Sequence, residues 1–347
     1  MKQYPLYLAG IALALAVPAA ASAADAAPSV QVYGRLHVSV GQYDNGDDSQ
    51  TNVTSNASRL GVKGEQNLGA LTALYQIESD INADRGNTEL ATRNTFVGLK
   101  GGFGTVRLGR FDSPVKEINS AIDLFADALG DLDNISRRAY GANDARGFDN
   151  RDNNAIGYTS PSFSGVTLNL QYATNIDTAA NDPDTDNDAI SAALAYKQGP
   201  LFLALGYQRF GKDAGNGSDA PSLVRLGGSY DLGALRLIGF VQRGWDDPNL
   251  DDSLAYGLGA RYSFGDFALK AQYVAVDPDA DERGAQQLAL GGEYKLAKNL
   301  TTYVVAAYVD NDDNAGLTPW RETSDGDFAG VAGEKAFGAA LGVIYNF

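Results

Sequence analysis

One rhythm governs most of this chain: apolar and polar residues alternate with a period of two, segment after segment. In Val30–Val40 the even positions hold Val, Val, Gly, Leu, Val and Val, while Gln31, Tyr33, Arg35, His37 and Ser39 fall between them. An extended segment with one apolar and one polar face is a strand lying between two different surroundings. The pattern returns at 58–66, 71–81, 91–101, 105–111, 153–160, 166–173, 189–197, 201–210, 222–230, 235–243, 254–264, 267–276, 286–296, 301–309 and 337–347. Sixteen strands are therefore expected.

The connections alternate too. Short, mostly Gly-containing turns at 67–70, 101–104, 161–165, 198–200, 231–233, 264–266 and 297–299 interleave with longer acidic loops. Those loops lie near 44–55, 83–89, 112–149, 175–188, 211–220, 245–252, 277–284 and 310–335. An even strand number, with short turns at one end and long polar loops at the other, is the plan of an outer-membrane barrel. A secreted soluble β-protein, either a sandwich or a Ca²⁺-binding solenoid, also alternates, so the chain's ending carries weight. Phe337, Leu341, Val343, Tyr345 and Phe347 share one face, with Gly338, Ala340 and Gly342 on the other. A terminus with that much aromatic surface frays in water, but in a barrel it meets lipid. Tyr43, Phe103, Phe163, Phe210, Tyr230, Trp245, Phe264, Phe267 and Tyr308 recur near strand ends as a candidate interfacial belt.

Composition narrows the function. The 347 residues include 43 acids and 27 bases, for a net charge of −16, with no cysteine and a single histidine, His37. Zinc sites, iron–sulfur clusters and disulfide scaffolds need ligands that are missing, so no metal or other cofactor is expected. An acidic chain repels nucleic-acid phosphates. One histidine without a distinctive nucleophile context gives no hydrolase and no enzyme reading. Asp182, Asp184, Asp186 and Asp188 have calcium-loop spacing but lack the glycine and the closing glutamate. Met1–Ala23 reads as a secretory signal: Lys2, an apolar run from Leu6 to Val17, then Ala21-Ser22-Ala23. Residues 24–347 then form one barrel domain.

Several segments carry a family resemblance: V-Q-V-Y-G-R at 30–35, S-R-L-G-V-K-G-E at 58–65, T-R-N-T-F-V-G-L-K at 92–100, G-F-G-T-V-R-L-G-R at 102–110, N-A-I-G-Y-T-S-P at 154–161 and the terminal Y-N-F. In this order and spacing they resemble the general trimeric porins of Gram-negative bacteria, closest to the beta-proteobacterial branch. The resemblance implies a 16-stranded barrel, a homotrimer, and a third loop folded into the lumen. It also implies a water-filled channel in the outer membrane for passive diffusion of small hydrophilic solutes and ions. The expected surroundings are outer-membrane lipid and lipopolysaccharide, with the barrel assembly machinery reading Tyr345 and Phe347.

The loop 112–149 is long enough to need a function of its own. Ser120-x-x-Asp123 reads as a helix start, with Ile122, Phe125, Ala126, Leu129 and Leu132 on one stripe and Asp123, Asp127 and Asp131 on another. Strand parity puts Arg35 on the polar face of the first strand and Arg59 and Lys63 on that of the second. Arg93 is placed opposite in parity to Phe96, and Arg151 opposite to Ile156 and Tyr158. The resemblance makes these bases a ladder across a constriction, facing loop acids for which Glu117, Asp123 and Asp127 are the candidates. Arg110 shares the outward parity of Val106 and Leu108; the resemblance makes it a trimer contact with Asp84 or Glu89 of a neighbour, and snorkelling to the interface is the competing explanation. Two further functions stay open: a substrate-selective channel, and a secreted acidic adhesin or Ca²⁺-binding protein. The sign of ion selectivity is also open, because wall bases favour anions and loop acids favour cations.

Overall fold

The computed structural model describes residues 27–136, 148–176, 186–212, 220–247, 251–321 and 328–347. The expected signal segment, Met1–Ala23, lies outside them. The first strand is β1 (Gln31–Asp44), followed by β2 (Ser49–Ser55), β3 (Arg59–Asn67), β4 (Thr72–Asn82), β5 (Asn87–Thr88), β6 (Thr95–Gly101) and β7 (Gly104–Asp112). Two short helices, α1 (Pro114–Ile122) and α2 (Asp133–Ser136), come next. The wall resumes with β8 (Arg151–Thr159), β9 (Val166–Ala173), β10 (Ala189–Gln198), β11 (Leu201–Phe210), β12 (Ser222–Leu232) and β13 (Leu235–Asp247). It ends with β14 (Asp251–Phe264), β15 (Phe267–Pro278), β16 (Ala285–Ala297), β17 (Leu300–Asn311) and β18 (Ala336–Asn346).

All neighbours pair antiparallel, and β18 returns to β1 with Arg35 opposite Asn346 and Asp44 opposite Phe337, which closes the sheet. β2 and β3 both pair with β1, on either side of a kink at Ala57 (φ 52°), and count as one wall strand. β5 pairs only with the outer end of β4 and belongs to the second loop. The wall is a closed 16-stranded antiparallel barrel. The expected loop at 44–55 is corrected: Ser49–Ser55 is strand, because Val38–Asp44 of β1 extends far enough to pair with it.

Alternation sorts the side chains as parity requires. Leu36, Val40, Leu60, Leu108, Leu194, Leu258, Val304 and Leu341 lie outward and exposed, while His37, Ser39, Gln171, Gln208 and Gln272 lie inward and buried. At the short-turn end Tyr262, Phe264, Phe267 and Tyr294 form a run of touching outward rings, and Tyr345 stacks near Phe347. This is one rim of an aromatic belt. Tyr43 and Phe210 leave that belt, since both point inward and are 2% and 4% exposed. Strand ends near the lumen also need aromatic filling, which the sequence alone does not separate from a girdle.

With an apolar exterior, the packed core lies inside, between the wall and the long loop. Val115, Ile118, Ile122, Phe125, Leu129, Leu132 and Ile135 are all buried there. The helix lies upstream of the expected one. Ser113 caps it, its Oγ accepting from Lys116 N at 3.2 Å, and Pro114 occupies its first turn. Asp123 ends the helix instead of starting it. The apolar stripe holds for Ile122, Phe125, Leu129 and Leu132, carried partly by turns, while Ala126 is exposed.

Candidate functional site

The loop after β7 crosses the lumen and docks on the far wall. Ile118 and Ile122 sit against Gly206 and Gly227, where a Cβ would meet their side chains at 2.7 and 2.9 Å. Wall cations serve the carbonyls at the end of α1: Arg236 donates to Ala121 O (3.2 Å) and Lys270 to Leu124 O (2.7 Å). The helix has no basic residue in its own last turn, and these wall residues replace one. At the loop's downstream end Arg225 grips Asp149 through two contacts of 2.6 and 2.7 Å, with both side chains buried.

A series of fully buried glutamines completes the dock. Gln208 accepts from Ser113 Oγ (3.1 Å), and Gln171 donates to Phe111 O (3.3 Å). Gln272 accepts from Leu124 N (2.9 Å) and donates to the Asp123 carboxylate (3.0 Å). Gln287 donates to the carbonyls of Gly130 (3.0 Å) and Asp131 (3.1 Å). An amide donates and accepts without a charge to desolvate, which suits it to hold backbone in a buried seam. Sequence reading missed these residues. Their signal was a glutamine at inward parity in strand after strand, which also fits an ordinary polar wall.

Opposite the dock, the first strands carry the cations. Arg35 and Arg59 are cross-strand partners, and like charges in that position repel. Asp127, from the loop, lies between them: Oδ2 is 3.0 Å from Arg35 and 3.8 Å from Arg59. Burial alone would raise the Asp127 carboxyl, but Arg35 and then Arg59 hold it below its usual range. Arg35 also donates to His37 Nδ1 (3.1 Å), and His37 Nε2 meets Tyr303 Oη at 2.8 Å. A guanidinium accepts nothing, so Nδ1 must be the acceptor and the ring carries its proton on Nε2. Lys63 lies exposed over the Tyr33 ring, 4.8 Å from its centroid.

The remaining candidates are placed differently. Arg93 is immobilised by Glu78 (2.7 Å) and Asp80 (2.8 Å). Its parity argument fails: β6 starts at Thr95, Phe96 faces the lumen and Val97 faces out, 58% exposed. Arg151 is tied to Asp112 at 3.1 Å, beyond a bulge near Asn154 (φ 50°) that breaks the alternation with Ile156. Asp123 is used inside the loop, accepting from Phe125 N (2.8 Å) and Leu132 N (3.3 Å) as well as Gln272. Glu117 reaches Arg107 at 3.5 Å, and Arg107 lies over the Phe111 ring at 4.6 Å. Arg107 was missed, although its inward parity in β7 was readable. Arg110 hydrogen-bonds its own chain at Thr92 O, Arg151 O and Asn153 Oδ1. Of the outer-loop acids, Asp252 pairs with Arg243 (3.0 Å) and Asp310 with Lys335 (3.6 Å). Asp182 and Asp184 lie outside the described residues, and no acidic or histidine cluster fit for a metal occurs among the described ones.

The geometry is thus a closed wall, a loop across its lumen, and a loop carboxylate facing two wall guanidiniums. The family model for Gram-negative porins matches residues 11–314. "Outer membrane porin protein 32" of Delftia acidovorans is 32% identical, with 96% of this chain and 99% of that protein covered. "Major outer membrane protein P.IB" of Neisseria lactamica is 27% identical, with 89% and 95% covered. Among solved structures, the anion-selective porin from Comamonas acidovorans superposes with a TM-score of 0.82 at 30% identity, covering 92% of this chain and all of that one. The trimer form of OmpT from Vibrio cholerae shares the fold, with a TM-score of 0.68 at 19% identity, covering 93% of this chain and all of that one. The chain belongs to the Gram-negative porins, outer-membrane channels through which small hydrophilic solutes and ions diffuse passively.

Proposed function

We propose that Arg35, Arg59 and Lys63 on the wall, with Asp127 on the loop, form the constriction of this channel, and that the constriction favours anions. The observation carrying this reading is the charge ratio: two guanidiniums face one carboxylate, with Lys63 further along β3 over the Tyr33 ring. A transverse field between fixed charges in a low-dielectric shell orients dipolar solutes and resists apolar ones. Arg93 and Arg151 act as charges held by partners, and Glu117 as the partner of Arg107; Asp123 acts through loop shape. A solved relative carrying the description anion-selective supports the sign. The outer-loop acids oppose it only at the mouth, where salt screens them within about 8–10 Å.

The reading includes a cleaved signal at Met1–Ala23, assembly as a homotrimer, contact with lipopolysaccharide, and recognition of Tyr345 and Phe347 during barrel assembly. For the trimer, the second loop offers Glu89 and Leu90, the latter 86% exposed, to a neighbouring subunit. Arg110 braces the root of that loop through Thr92 O. Reversal potential across a salt gradient tests the constriction. Wild type is expected on the anion side and Arg59→Ala closer to neutral; a reversal potential and conductance unmoved by Arg59→Ala would remove Arg59 from the narrow point. Bilayer conductance should appear in triplets.

A further inference from the structure

The last outer loop also reaches into the barrel. Trp320, 1% exposed, sits edge-on to Tyr43 with ring centroids 5.3 Å apart and stacks on Phe328 at 5.7 Å. Its Nε1 donates to Phe328 O (2.9 Å), and Thr318 Oγ1 donates to Trp320 O (2.9 Å). Asn311, at the end of β17, holds Leu317 from both sides: its amide donates to Leu317 O and its carbonyl accepts from Leu317 N, each at 2.9 Å. The result is a short braced segment whose tip, the Pro319 carbonyl, accepts from Gly130 N and from Asn134 Nδ2, both at 2.7 Å.

Gly130 is the elbow of the inserted loop. Its φ is +84°, and a Cβ there would meet Ala289 Cβ at 2.5 Å, so the backbone lies flat on the wall. Pro319 holds the elbow's N–H while Gln287 on β16 holds its carbonyl. Three residues upstream, Asp127 faces Arg35 and Arg59. We infer that Pro319–Trp320 is a strut that positions Asp127 at the constriction, making the last loop a determinant of the pore's charge balance although it touches none of the charged groups there. This rests on the constriction proposed above.

Because Pro319 acts through its backbone, the strut is loosened from its two ends. Trp320→Ala removes the ring packed on Tyr43, and Asn134→Ala removes one of the two hydrogen bonds to the carbonyl. Each variant is measured in planar bilayers for open-channel noise and reversal potential, with heat-modifiable gel migration confirming a folded barrel. The population with a released elbow should rise about fivefold for Asn134→Ala, the worth of one hydrogen bond, and further for Trp320→Ala. Excess noise and a shift of reversal potential toward anions report it, because Asp127 then spends less time on the arginine pair. Trp320→Phe, which keeps an edge-on aromatic ring, should restore both readouts toward wild type. Wild-type noise and selectivity in a folded Asn134→Ala or Trp320→Ala channel would overturn the strut while leaving the constriction standing, provided Arg59→Ala still shifts selectivity. If Arg59→Ala shifts nothing either, the constriction reading itself falls.

Discussion

The two halves of the wall meet the inserted loop with different chemistry. β1 to β7 face it with guanidiniums that stay partly exposed, whereas β9 to β16 face it mainly with buried amides. The difference follows from solvation. A charge that keeps part of its hydration can contribute to a field across the lumen, and Arg35 and Arg59 stay 19% and 22% exposed in their side chains. A charge sealed under the loop would carry a desolvation cost of several kcal/mol, which an amide does not. Gln208, Gln242, Gln272 and Gln287 are at most 2% exposed and engage the loop or its partners without charge. Arg236 and Lys270 also reach the loop from the docking side but keep part of their exposure. Arg225 is the fully buried exception, and there a bidentate carboxylate and Gln242 satisfy its guanidinium.

That exception gives the most severe way to break the contrast. Arg225→Ala leaves Asp149 buried without its cation and should cost about 3–5 kcal/mol. The temperature at which the folded form disappears on a gel should fall, and protease should reach the downstream end of the loop. Replacing both partners by apolar residues, Arg225→Met with Asp149→Leu, should recover most of the loss. Failure of the double replacement to outperform the single one would mean that the pair contributes more than mutual neutralisation.

The next test touches an amide. Gln287→Leu strips the Gly130 and Asp131 carbonyls of a buried donor, a loss of about 1–3 kcal/mol. A leucine on the charged side, at Lys63, should leave stability nearly unchanged, because an exposed ammonium over a tyrosine contributes about 0.5–1 kcal/mol. Equal destabilisation at the two positions would erase the division between docking wall and field wall.

Much of this division was legible as parity. His37, Arg35, Arg59 and Lys63 occupy the inward positions that alternation requires, and the outward leucines and valines do the same for the opposite face. Parity fails where a strand is not where it was expected. Arg93 precedes β6, and the bulge near Asn154 resets Arg151, so neither orientation followed from counting. The inserted loop was harder because its helix is short and held mainly from outside. Ser113-Pro114 was a readable start, yet the acidic spacing at 123, 127 and 131 imitated a helical stripe. In the folded loop those three carboxylates have separate tasks: Asp123 ends α1, Asp127 meets the arginines, and Asp131 accepts from the backbone N–H groups of Asp127 and Asp133, both at 2.7 Å. What decides among such tasks is the partner on the wall, which is distant in sequence.

The smallest expected effect lies at that elbow and depends on pH. Arg35 and Arg59 overcome burial and hold the Asp127 carboxyl below its usual range. Its contribution is therefore complete above the unfolded value of about 3.9 and is lost as pH falls through the depressed folded value. Asp131 behaves in the opposite sense. Burial first, then the neighbouring Asp123, push its carboxyl well above the usual range, and the two acids hydrogen-bond each other. Its contribution is complete below the unfolded value and is lost as pH rises through the raised folded one. Open-channel noise should accordingly be lowest between the two titrations, where Asp127 is ionised and Asp131 still carries a proton, and should climb on both the acid and the alkaline side of that window. Asp131→Asn carries no titrating proton, so it should abolish the alkaline rise while keeping the acid one. An alkaline rise that survives this substitution would assign it to another group. The elbow would then be governed by Pro319, Gln287 and the arginine pair alone.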